Sequence, residues 1–190
     1  LRKNIVLIGM MGVGKTTLGK IVAKERNLKF IDIDENIERK NLMTITEIFE
    51  KKGEDFFRNE EKEEVLKSLK KEKCIIALGG GGFINKIVRD DILKYSISIW
   101  LDLNIKTINN RVKWNNKRPL LKEKKLEKLE NLYEKRKKIY KLANHKIECA
   151  KLSKKNILNI IINTRKVLLK AISFGGSTIR DFKKTDGKSG

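Results

Sequence analysis

Gly9-Met10-Met11-Gly12-Val13-Gly14-Lys15-Thr16 fits the spacing G-x-x-x-x-G-K-[ST] in full. The chemistry such a pattern serves is capture of a nucleotide's phosphates. Glycines let the backbone curl until several N–H groups point at one anion, and a helix that begins there adds the positive end of its dipole. A lysine in this place reaches the β- and γ-phosphates, and the neighbouring hydroxyl suits a magnesium ion. The apolar run before Gly9 reads as a strand and the residues after Gly14 as a helix, which is the context the motif requires. Gly12, Val13, Gly14, Lys15, Thr16 and Thr17 are therefore the candidate nucleotide-binding residues.

Five further groups are suited to phosphoryl transfer. Asp32 and Asp34 stand two apart at the end of a second apolar run. In an extended segment such residues share a side, so one can organise magnesium through water while the other accepts a hydroxyl proton. Taken alone, D-x-D also fits a solvated turn. Arg58 is followed at i+3 by Glu61, a spacing that holds a guanidinium ready for a carboxylate. Gly79 to Gly82 form a second glycine cluster, where bare backbone admits a ligand closely. Arg118, in a polar stretch before Pro119, is placed to close over a phosphate, and Arg136 lies among basic neighbours that it resembles in every local respect.

The elements that must hold these groups alternate between strand and helix, which predicts a parallel sheet covered on both faces. Strands are expected at 3–8, 29–33, 74–78, 97–101 and 146–149. Helices are expected at 15–26, 45–52, 54–71, 86–94, 105–112 and 126–142, with a last one capped by Ser153 and reaching about Ala171. The two aspartates and the second glycine cluster fall at the carboxyl ends of strands, where open α/β sheets bind ligands, whereas Arg118 falls in a loop and Arg136 in mid-helix. The stretch 113–125 reads as a loop.

The 190 residues make one domain, with 39% hydrophobic content for its core. No apolar stretch is long enough for a membrane span, and a cytoplasmic location without membrane contact is expected. The net charge of +21 permits polyanion binding, yet the lysines are dispersed among acidic residues, as in EKLENLYEKRKK. Solvated helix faces are the expectation. Cys74 and Cys149, with the lone His145, make an incomplete zinc set and are expected as buried reduced thiols in strands.

The motifs GMMGVGKTT, DIDENIE, FFRNEE, ALGGGG, KRPLL and LYEKRKKIY, in that order, give residues 1–162 a resemblance to shikimate kinases. The resemblance implies a three-layer P-loop kinase fold with five parallel strands. It implies transfer of a phosphoryl group from ATP to the 3-hydroxyl of shikimate, with one magnesium ion per chain, in a monomer. Lys15 and Thr16 match the phosphate and magnesium contacts, and Asp32 the water-linked magnesium partner. Asp34 matches the acceptor's base, and Arg58 and Arg136 the carboxylate clamp. Gly79, Gly80 and Gly81 match the clamp's backbone cradle, Arg118 the lid arginine and Arg111 the adenine-side arginine. Residues 166–190 extend past this kinase unit of 1–165. They resemble a fragment of formamidopyrimidine-DNA glycosylase that lacks that family's proline nucleophile and zinc cysteines, and they are expected to be peripheral or disordered. Two other readings stand beside this one: a gluconate-type small-molecule kinase, which the Asp32–Asp34 pair, Arg58 and the glycine run disfavour, and a basic DNA-binding module, which leaves the phosphate loop and both aspartates unexplained.

Overall fold

The computed structural model describes residues 4–113 and 125–173 of the chain. Five parallel strands form one sheet in the order β2-β3-β1-β4-β5, with β1 Asn4–Ile8, β2 Lys29–Asp32, β3 Cys74–Ala77, β4 Ser96–Asp102 and β5 His145–Glu148. The three central strands, NIVLI, CIIA and SISIWLD, are buried almost throughout. Continuous apolar strands of this kind need helices on both faces. These are α1 Lys15–Glu25, α2 Ile33–Asn41, α3 Ile45–Leu69, α4 Lys86–Tyr95, α5 Ile105–Lys113, α6 Lys125–Tyr140 and α7 Lys154–Ser173. The edge strands β2 and β5 expose part of their side chains.

The predicted elements match this order within a few residues, with two corrections. The segment after Asp32 is not extended: it turns at once into α2, whose only buried side chains are Ile33 and Ile37, one turn apart among charged residues. So sparse an apolar stripe gives little periodic signal. The break expected between two helices at Gly53 is present: that residue takes non-helical φ 82° and ψ 171° and kinks α3. Cys74 is buried in β3 as expected, but Cys149 is only partly buried and begins a 3₁₀ turn, Cys149–Lys151, beyond β5.

Capping fixes where the site-bearing helices start. Thr44 and Glu47 make a reciprocal capping box at the head of α3, worth about 1 kcal/mol. Glu38 of α2 also accepts from the Ile45 amide at 2.9 Å, which ties the two helices at their junction. Ser153 caps α7 through the Asn156 amide, as expected. Among the residues of α7 up to 164, Ile157, Ile161 and Ile162 are buried. No helix among the described residues is long and apolar enough to cross a membrane.

Candidate active site

The phosphate loop joins β1 to α1. Gly14 takes φ 99° as the N-cap of α1, and no side chain caps it among the described residues. The first-turn amides are thus left to an anion. Lys15 Nζ donates to the carbonyls of Gly9 and Met10, 2.9 Å each. Thr16 Oγ1 donates to Asp32 Oδ2 at 2.6 Å. A cavity of about 630 Å³ opens here, lined by Gly12, Gly14, Lys15, Thr16, Thr17, Asp32, Asp34 and Arg111 among others. Val13 is buried beneath the loop. Arg111 is exposed and its guanidinium donates to the Gly12 carbonyl at 3.3 Å, so α5 closes the loop from outside.

Asp32 and Asp34 do converge, by a route different from strand alternation. Asp32 is the N-cap of α2, and its Oδ1 accepts from the amides of Asp34 and Glu35 at 3.1 and 3.4 Å. That leaves Oδ2 to Thr16. Burial pushes the Asp32 carboxyl above its ordinary range; the Thr16 hydrogen bond opposes this, and the charge of Asp34 adds to it. Asp34 lies in the first turn and lines both the large cavity and a second one of about 300 Å³.

The second cavity draws its walls from five segments, Met11 of the phosphate loop and Asp34 of α2 among them. Ile45, Phe49 and Phe57 of α3 give an apolar side, and Arg58, Glu61, Gly79, Gly80, Gly81 and Arg136 a polar one. The expected Arg58–Glu61 pair is present at 2.8 Å. Glu54, one turn earlier, holds the other edge of the same guanidinium at 2.9 and 3.1 Å. The sequence reasoning missed this partner, although its i−4 spacing was a readable signal. Arg58 also packs over the Phe57 ring, 5.1 Å from its centroid. The glycine turn is needed because the charged groups press on it. A Cβ at Gly79 would meet the Glu61 carboxylate and lie 2.7 Å from Asp34 Oδ1, and one at Gly80 would lie 2.9 Å from Arg136 Nη1. Glu61 is 3% exposed, and its Oε1 has no hydrogen-bond partner among the described residues. Burial raises its pKa and so does Asp34, against Arg58 and Arg136. Arg118 lies outside the described residues.

Thr16 and Asp32 suit a hard cation. Among the described residues no group of three or more acidic, histidine or cysteine side chains gathers as a metal cage. A small oxygen set beside a phosphate site fits magnesium, which keeps several waters and takes one or two protein ligands.

A phosphate loop at the end of β1, a second cavity lined by two arginines, and a carboxylate between them define a nucleotide-dependent kinase of a small anionic acceptor. The shikimate kinase family model matches residues 11–166. The chain is 42% identical to the shikimate kinase of Bacillus subtilis over 167 residues, 87% of this chain and 90% of that protein. It is 41% identical to that of a Sulfurihydrogenibium species over 84% of this chain and 96% of that one. The shikimate kinase of Acinetobacter baumannii, solved in complex with shikimate, superposes with a TM-score of 0.79 at 30% identity, covering 92% and 96% of the two chains. The chain belongs to the shikimate kinase family. A gluconokinase from Sinorhizobium meliloti shares the fold, with a TM-score of 0.61 at 15% identity.

Proposed function

We propose that the chain transfers the γ-phosphoryl group of ATP to the 3-hydroxyl of shikimate, giving shikimate 3-phosphate, with the work divided between the two cavities. The observation that carries this reading is that Asp34 lines both of them. An acceptor hydroxyl beside Asp34 thereby meets the end of a triphosphate laid on the loop. The backbone of Gly12–Gly14, with Thr17 beside it, cradles the phosphates and Arg111 flanks the nucleotide. Lys15 gives up its loop carbonyls for the β- and γ-oxygens. Thr16 and, through a water, Asp32 would hold one magnesium ion per chain, which supplies charge neutralisation on the phosphates when bound.

Arg58 and Arg136 clamp the shikimate carboxylate, and the backbone of Gly79–Gly81 completes the cradle. Asp34 takes the hydroxyl proton as that oxygen bonds to the γ-phosphorus. The bond to the β–γ bridging oxygen breaks, and ADP leaves with that electron pair. Arg118 joins as charge shifts between phosphates. The unit responsible is residues 1–165, acting as a monomer in the cytoplasm without nucleic acid. Residues 166–190 resemble a glycosylase fragment and take no part.

A coupled assay of ADP release against a panel of hydroxy acids tests the reading. Shikimate-dependent ADP formation is expected. Faster turnover on gluconate, or none on shikimate, overturns it.

A further inference from the structure

Arg136 is a carboxylate clamp only if α6 stands at a fixed distance from the glycine turn, and one residue makes that connection. Tyr140 follows Arg136 by four positions, so the two share a face of α6. It is 1% exposed. Its hydroxyl donates to the Gly80 carbonyl and lies 4.0 Å from Met10 Sδ of the phosphate loop. Its ring tilts against Trp100 of β4, with centroids 5.9 Å apart. Burial pushes the phenol up to about 12, with the Arg136 guanidinium opposing the rise, so it stays a donor throughout the working pH range.

We propose that Tyr140 is a positioning residue for the acceptor. By pinning the Gly80 carbonyl, it fixes the Gly80–Gly81 peptide plane and couples the Arg136 helix to the glycine cradle. A trans peptide sets its N–H opposite its carbonyl. Holding Gly80 C=O toward Tyr140 therefore fixes the direction of the Gly81 N–H, the donor that the turn offers to an anion between Arg58 and Arg136. Without the hydroxyl the plane is free to rotate, because glycine's backbone resists little. The phosphate loop, held by its own helix and by Lys15, does not depend on this bond.

The inference rests on the clamp reading above, and the test separates the two. Tyr140→Phe keeps the ring and its packing on Trp100. In the full chain, the KM for shikimate is expected to rise about tenfold, within the range for one lost hydrogen bond between neutral groups. The KM for ATP and kcat should change less than about twofold. A merely structural role would lower the thermal midpoint without this split. An unchanged shikimate KM, or a parallel rise for both substrates, overturns the proposal. Arg136→Gln, measured alongside, distinguishes the failures: a rise there alone overturns only the Tyr140 role, and no rise in either variant overturns the clamp as well. If Tyr140→Phe does not fold, the wild-type chain still decides the question. The Gly81 amide proton should move downfield when shikimate alone is added, and an unmoved resonance overturns the proposal.

Discussion

The nucleotide end and the acceptor end of this molecule are built on different principles. At the nucleotide end, binding atoms come from consecutive residues, and the backbone supplies most of them. Gly14 caps α1 with its own peptide, and Lys15 closes on the carbonyls of Gly9 and Met10. At the acceptor end, side chains from α2, α3 and α6 meet over a glycine turn after β3. Their charges are held by neighbours that lie close in sequence only for Arg58, with Glu54 and Glu61 on either side. The first kind of site survives any change that leaves the loop intact. The second depends on the packing of three helices, and so one altered side chain can loosen it.

Four experiments press on that contrast. The largest effect belongs to the nucleotide end. Lys15→Met removes a charge that no backbone group replaces, and kcat should fall at least ~100-fold. Unchanged turnover in a steady-state assay would remove the loop from the reaction.

Arg58→Lys tests the acceptor end alone. It keeps the charge and loses the planar fork that Glu54 and Glu61 hold. Shikimate binding should weaken by about 1–3 kcal/mol, roughly 5- to 150-fold, and ATP binding should barely move. Equal losses for both substrates, measured by titration calorimetry, would show that the ends are not separable.

A third test concerns the carboxylate behind the clamp. Glu61 has its pKa raised in the folded state, first by burial. Between its ordinary value of 4.5 and that raised value, the folded protein keeps a proton that the unfolded chain has lost. The stability this group contributes is therefore full below the ordinary value and declines as pH rises through the window. Glu61→Gln removes that dependence. The thermal midpoint of the variant relative to wild type should shift upward as pH is raised from 4 to 7, by a few degrees. A difference independent of pH would mean that Arg58 holds the carboxylate ionised throughout.

The smallest effect is expected from truncation after Ala171. The family match ends at residue 166, before the cut. Activity at both substrates and the thermal midpoint should stay nearly unchanged. A marked loss of either would give the terminal residues a role in the site.

The sequence by itself determined the parallel sheet, the phosphate loop and the arginine with its i+3 partner. Each of these is written in residues within a turn or a strand of one another, where spacing fixes geometry. Asp34, Arg58, Gly79–Gly81 and Arg136, singled out in the sequence, all line the second cavity. Tertiary structure decided the rest. It alone placed Asp32 as a helix cap, because the stripe of Ile33 and Ile37 forms α2 only once it packs on the core. It set Arg136 over Gly80 with Tyr140 beneath, a placement that family resemblance suggested but the local sequence of α6 does not encode. The local sequence around Arg136 is lysine on both sides, and which cation faces a cavity depends on the face of the helix that the sheet buries.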